Sequence, residues 1–473
     1  MSFAHKLRVL VWGEAAATAA ERKLVQKIDF FVLSDVSPPT PSPEVRNLTK
    51  SDIVGQVPHA LALNYVAPHI YLPSMTVIWA GLTMCSAAVQ NYPAMMALRF
   101  LLGAIEASTF AGTHYIIGSW YTPQEVGKRA GLFAASGQAG TMFAGLMMTA
   151  MYKSMDGLAG MPGWRWVFII DGIITLPIAV FGFFYFPDLP ATTQAPYLST
   201  EERLLAVSRL PPKKTHQKVD LALLKRVLSS WTAWVFVILW FFGGLVESLS
   251  TYTCMLLWMK TAGYSVVQNN TYPLVIQAVS IVSILGVSIA LDASQKRLPW
   301  GLLTCGIQII TGIILLNWSH IGDGARFAAY WIAGTAYAMQ PITFTWANIV
   351  LARDGDNLAR SIVLYSMNGA SATASTFWGV ELYPATDAAT GFFKGNVALV
   401  AVSVFTAFWF CLCWVEDRRT LREFSVGAGR VASATEETGA SRMGVNSGKD
   451  TVIVGEEVNE DGDVVANSKG DRS

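Results

Sequence analysis

Charge is what this sequence has least of. Only 14% of its 473 residues are Asp, Glu, Lys or Arg, against 52% that are hydrophobic, whereas a soluble domain carries about 25% charged residues. That shortage excludes an ordinary soluble globular domain and points to a chain embedded in a bilayer. A formal net charge of +1 leaves no excess of either sign to draw in a nucleic acid. Cysteine is scarce as well. Cys85, Cys254, Cys305, Cys411 and Cys413 lie in or beside apolar runs and read as small buried hydrophobes, which excludes a disulfide framework and a thiolate metal site. The six histidines, at 5, 59, 69, 114, 216 and 320, form no HxxxH cluster, and no GxxxxGKS/T phosphate loop is present. No metal or cofactor is expected, and an enzyme or an ATP-driven pump is set aside. The opening MSFAHKLRVLVWGE has an apolar stretch shorter than the roughly 7–15 residues of a secretory signal, so no cleaved leader is expected.

Long apolar runs are what the sequence has in abundance. A spanning helix needs about 20 mostly apolar residues, because in hydrocarbon the backbone must satisfy itself. Ten runs meet that length, approximately 72–90, 94–118, 130–152, 164–186, 231–258, 272–291, 299–318, 326–351, 360–383 and 395–415. The alternation of a membrane barrel is absent. Small residues recur instead, as at Gly131, Ser136, Gly137, Gly140 and Gly145, a pattern that lets helices pack closely in lipid.

Lys and Arg set the expected orientation, since short loops rich in them stay cytoplasmic. One set of loops carries Lys128 and Arg129, then seven basic residues between Arg203 and Arg226, then Lys296 and Arg297, Arg353 and Arg360, and Arg418, Arg419 and Arg422. The opposite set holds only Lys153, Lys260, Arg326 and Lys394, with Arg165 at a helix start. Both termini are therefore expected in the cytoplasm. The basic segment 187–230 divides the runs into four before and six after, and the tail beyond about 424 is polar and expected to be disordered. The expected organisation is an N-terminal segment 1–52, a first membrane lobe 53–186, a central cytoplasmic loop 187–230, a second lobe 231–417 and a tail 418–473.

The segment 27–63 breaks the pattern. Its apolar run stops at Leu33 and gives way to Pro38, Pro39, Pro41 and Pro43 before hydrophobicity returns at Ile53. Neither flank is long enough to cross alone. If a hairpin of two spans belongs there, the count becomes six plus six around a central loop, the layout of a secondary transporter built from two pseudo-symmetric halves.

Several stretches carry a specific resemblance. ERKLVQKIDFFVLS (21–34) is an amphipathic lead-in; RFLLGAIEA (99–107) contains R-x-x-x-G; and THYIIGSWYTPQEVGKRAG (113–131), GWRWVFIIDGIITLPIA (163–179), GYSVVQNNTYPLVIQAVSIVS (263–283), YAMQPITFTWANIVLARDGDNLARSIVLYSMNGAS (337–371) and ELYPATDAATGFFKG (381–395) follow. With these stretches the chain resembles the major facilitator superfamily, in the anion:cation symporter branch that holds allantoate, nicotinate, biotin and pantothenate permeases, and stands closest to the pantothenate side. The resemblance implies an all-α integral membrane protein, a two-lobed helical bundle of about ten full spans plus a truncated first hairpin. Two departures accompany it. The loop GQVPHALALNYVAPH (55–69) lacks the family's acid and Arg, while DASQKR (292–297) keeps that pattern with Asp292 and Arg297. The family's first span and half of its second are missing around 34–52, as a splice or gene-model error or a true deletion would leave them.

Ionisable groups inside a span cost at least about 2.5 kcal/mol at its centre, so each is a functional candidate. Glu106 lies seven residues after Arg99, on the same helix face and about 10.5 Å along the axis. Glu106 either takes and releases a proton or locks its helix to a neighbour. The resemblance gives Arg99 and Gly103, like Asp292 and Arg297, a role in helix contact and gating. Glu247, in GGLVESLSTY, is the protonation candidate of the second half. Asp171 reads as a structural bond. His114 is a candidate ligand contact or proton relay, with simple packing as the alternative. Gln340, Trp346, Asn348 and Asn368 offer hydrogen bonds to a polar ligand, or glue helices together.

The resemblance implies a multi-pass plasma-membrane protein, monomeric, that imports a small organic anion such as pantothenate together with a proton. Carriage or export of another metabolite linked to a biosynthetic pathway, and a non-transporting sensor or inactive truncated carrier, are the alternatives.

Overall fold

In the computed structural model the described residues run from 58 to 444, apart from 60–61, 64, 123–124, 211–220, 250–251 and 354–355. The degenerate first span expected before residue 53 and the proline-rich stretch lie outside the described residues. Among the described residues there is no strand.

The first lobe comprises α1 (Pro68–Ser86), α2 (Tyr92–Trp120), α3 (Val126–Ser154) and α4 (Gly163–Tyr185). Helix α1 opens on Pro68, where a missing N–H is no loss. Helix α2 is capped by Asn91, whose side chain accepts the Ala94 N–H at 2.9 Å, supplying one of the partners that a helix start lacks. Within the lobe, α1 packs on α2 and α4, and α3 on α4.

Two short helices occupy the central segment, α5 (Thr200–Ser208) and α6 (Leu221–Ser229). Ser199 and Glu202 close a reciprocal capping box at the start of α5.

The second lobe comprises α7 (Trp231–Leu249), α8 (Tyr252–Thr261), α9 (Val266–Thr271), α10 (Leu274–Ser294), α11 (Leu298–Leu316), α12 (Asp323–Ala333), α13 (Met339–Ala352), α14 (Asn357–Leu382) and α15 (Phe393–Gly444). A 3₁₀ turn, Gly334–Ala338, joins α12 to α13. Helix α7 packs on α13 and α14, and α10 and α11 on α12. Trp409 of α15 donates to the Val235 carbonyl at 2.8 Å.

Each of the ten apolar runs has most of its described residues on helices. Six segments are long and apolar enough to cross a membrane by length and composition: Tyr92–Trp120, Gly163–Tyr185, Trp231–Thr261, Val266–Ser294, Leu298–Leu316 and Phe393–Phe424. The remaining runs fall on α1, α3, α12 with α13, and α14. Ser, Thr, Gly and Pro lower the hydropathy of α1, α3 and α14, and the 3₁₀ turn divides the run on α12 and α13 into two shorter helices. The described residues up to Arg418 form one compact unit, and those from Arg419 belong to a second. In the second, α15 continues to Gly444, into the stretch expected as a disordered tail.

The lobes meet where α3 runs along α10, where α2 and α3 meet α13, and where α2 meets α14. Gly131 of α3 sits directly against the Ser288 side chain, so even a methyl group there would collide with it. Small residues permit such close approach where lipid tails give no hydrophobic drive to associate.

The helix ends that carry the basic loops form one end of the bundle, the basic end. The central segment is tied there to both lobes. Arg209 forms an ion pair with Glu125, and Arg226 with Asp356. Trp120 donates to the Asp188 carbonyl at 2.8 Å, while the Asp188 carboxylate accepts the His69 N–H at 3.1 Å.

Candidate functional site

A cavity opens between the lobes near the middle of the bundle. One part, about 860 Å³ with the open mouth counted, is walled by Met75, Thr76 and Trp79 of α1, Ile105, Glu106, Thr109 and Phe110 of α2, and Phe133, Ala134, Gly137 and Gln138 of α3; Glu247 and Gln340 face them from the second lobe. A second part, about 540 Å³, is walled by Phe110, Trp240, Gly244, Glu247, Ser248, Tyr337, Gln340, Asn368, Ser371 and Ser375. Phe110, Glu247 and Gln340 line both parts, so the two are halves of one site. The combination suits a small molecule, being apolar and aromatic over most of its wall with a few convergent polar groups.

Its charges are unbalanced. Glu106 from one lobe and Glu247 from the other both line it, and no Lys or Arg is among its described lining residues. The Glu247 Oε2 atom is buried with no hydrogen-bond partner. Arg99, the cation that acts on Glu106, is itself buried and lies off the cavity, with its guanidinium 5.4 Å from the Phe168 ring centroid of α4. Gly103 is buried on α2 one turn before Glu106.

The structure brings four of the residues expected from sequence into this site: Glu106, Glu247, Gln340 and Asn368. Three others lie between it and the basic end. His114 is fully buried beneath Phe110, its Nδ1 3.0 Å from the Phe110 carbonyl, with the Phe110, Phe133 and Phe344 rings 4.6, 5.1 and 4.5 Å away. It lies under the floor that Phe110 forms. Trp346 donates to Asp417 Oδ2 at 2.8 Å and stacks on Phe410, far down α13. Asn348 presses on Gly118 of α2, with both amide atoms lacking a hydrogen-bond partner.

Asp292 and Arg297 sit at the basic end. Asp292 accepts the Lys128 N–H at 3.0 Å, joining α10 to the start of α3. Arg297, between α10 and α11, bears electrostatically on Asp417 and Asp292. Asp171 is buried on α4, and it does not line the cavity.

Sequence reasoning missed Trp79, Gln138, Trp240, Tyr337 and Ser371. Gln138 had a usable signal, a polar amide in the middle of a run of small residues. The aromatics had none, because in a membrane chain an inward Trp and a lipid-facing Trp stand in the same apolar company.

Residues 52–380 match the family described as the Major Facilitator Superfamily. Among curated relatives, the pantothenate transporter liz1 of Schizosaccharomyces pombe is 43% identical over 353 residues, which cover 74% of this chain and 68% of that protein. The pantothenate transporter FEN2 of Saccharomyces cerevisiae is 35% identical over 361 residues, with 74% and 70% covered. Among solved structures, the proton:xylose symporter XylE superposes with a TM-score of 0.59 at 13% identity, covering 81% of this chain and 92% of that one. At so low an identity the likeness concerns the fold alone.

Proposed function

This chain belongs to the Major Facilitator Superfamily, and from that premise we propose that it imports a small organic anion of the pantothenate type together with a proton. It is a multi-pass membrane transporter and not an enzyme. The two curated relatives compared above are named as pantothenate transporters, which supports that substrate class here.

The observation that carries the proton is the placement of Glu106 and Glu247, from opposite lobes, on one cavity whose described lining has no cation. An ionised carboxylate out of water is costly unless paired. A carboxylate substrate entering beside two more is admitted most cheaply when a proton enters with it. The wall supports the rest of the substrate. Gln138, Gln340, Asn368 and Ser371 offer neutral hydrogen bonds suited to hydroxyl and amide groups, and Trp79, Phe110 and Trp240 offer apolar faces. We place the basic end in the cytoplasm, following the distribution of Lys and Arg.

One proton carried with one monovalent anion moves no net charge, so the pH gradient supplies the drive, about 1.4 kcal/mol per pH unit. The test is uptake of labelled pantothenate at external pH 5 and pH 7 by cells that lack their own carrier. Faster uptake in acid supports the reading. Uptake of equal rate at both pH values removes the proton, and no uptake at either removes the substrate.

A further inference from the structure

A second polar site stands between the lobes toward the basic end. Arg360 of α14 is 3% exposed. Its Nη1 donates to the Gly118 carbonyl at 2.9 Å and its Nη2 to Ser119 Oγ at 2.8 Å, both on the last turns of α2. The guanidinium lies 5.4 Å from the Tyr115 ring centroid, and its Nε has no partner. Among the described residues no carboxylate pairs with it. The nearest in sequence, Asp356, is taken up by Arg226 and by the Ala359 N–H. Beside it, Asn348 of α13 is 3% exposed with neither amide atom hydrogen-bonded. Gly118 makes this packing possible, since a side chain there would strike Asn348.

A guanidinium has five N–H donors, and a buried one held by a single carbonyl and a single hydroxyl is poorly compensated. The negative end of the α2 dipole helps, yet a carboxylate would match the fork far better. Such a carboxylate is what the proposed substrate carries and what the central cavity, with no cation in its described lining, leaves without a counter-ion. Gly118 lies eight residues beyond Phe110 on α2, about 12 Å along its axis, so this station is a short step below the cavity floor. Transporters of two repeats work by rocking one lobe against the other around the site. Such a motion, opening the basic end, would draw α14 and α13 away from α2 and free both Arg360 and Asn348.

We propose that Arg360 exchanges partners during transport, holding the C-terminal turn of α2 when the basic end is closed and, with Asn348, binding the substrate carboxylate when that end is open. This rests on the anionic substrate proposed above. It makes Arg360 both the latch of the closed state and an anion site at the release face.

The experiment measures half-saturation of pantothenate exchange separately at each face, in right-side-out and inside-out membrane vesicles, for the unaltered carrier and for R360Q, R360K and S119A. Panthenol, the neutral alcohol of the same skeleton, is the competitor. At the face of the basic loops, R360Q is expected to weaken pantothenate by about tenfold or more, the scale of a lost charge-assisted bond, while panthenol changes little. R360K restores part of the loss. S119A loosens the latch and leaves the cation, so the half-saturation for pantothenate stays close to that of the unaltered protein. If a variant does not exchange, ligand-induced shifts in its melting temperature in detergent give the same comparison. Equal weakening of pantothenate and panthenol in R360Q, or an S119A effect as large, would leave only the latch and overturn the anion site. If the unaltered carrier handles neither compound, the substrate reading falls and takes this inference with it. If it carries pantothenate and R360Q behaves identically, this inference falls alone.

Discussion

Two glutamates in a cavity whose described lining is otherwise uncharged decide what that cavity can do. Glu106 has a cation in electrostatic reach, Arg99, whereas Glu247 has one oxygen buried with no partner. Replacing Glu247 by Gln keeps the shape and removes the titrating group. Glu247→Gln is therefore expected to flatten the acid stimulation of uptake, with rates at pH 5 and pH 7 converging, while substrate binding at pH 5 persists. Glu106→Gln should weaken coupling as well; if its pH profile matches that of the unaltered protein, Glu106 is a helix lock and not a proton site. Both glutamates were legible in the sequence because an acid in a span is conspicuous against its surroundings. Asn348 and Asn368 are alike in sequence, yet one presses on Gly118 and the other lines the cavity. A neutral polar residue in a span carries no mark of the direction in which its helix face turns.

Helices meet here at positions where only small residues fit. At the close approach of α3 to α10, a Cβ on Gly131 would overlap both the Oγ and the Cβ of Ser288, so Gly131→Leu should cost on the order of 1–3 kcal/mol. That would be read as a drop of several degrees in the melting temperature of the purified protein in detergent. At the basic end, Asp356 serves two elements at once. It accepts the Ala359 N–H at 2.9 Å at the start of α14 and pairs with Arg226 of α6. Asp356→Ala should destabilise the protein by about 1–2 kcal/mol, most of it from the lost cap, because a half-exposed ion pair adds little. A drop no larger than that of Arg226→Ala would show the cap to be dispensable. The glycine pattern of α3 was visible in the sequence, and its partner was not. Which helix approaches a stripe of small residues depends on the arrangement of the whole bundle.

The molecule as a whole is two lobes that touch at the basic end through Asp292 with Lys128, Arg360 with Gly118 and Ser119, and the layer of Phe110, His114 and Phe344. The cavity lies on the other side of that layer. If transport is one proton with one anion, imposing a membrane potential on vesicles without a pH gradient should drive no accumulation of labelled pantothenate, whereas a pH gradient alone should. Accumulation driven by potential would mean additional protons, each worth about 2.3 kcal/mol per 100 mV.

The sequence by itself determined that this chain crosses a membrane in helices, where those helices lie, how its basic loops fall on one side, and the family to which it belongs. Hydrophobic length and the placement of Lys and Arg are local properties, and a bilayer imposes them on each segment separately. Only the tertiary structure decided that Glu106 and Glu247 share one cavity, that His114 lies under its floor, and that Arg360 reaches across to α2. Those relations depend on the rotation of each helix about its axis and on which lobe it faces, and both are set by packing between segments hundreds of residues apart.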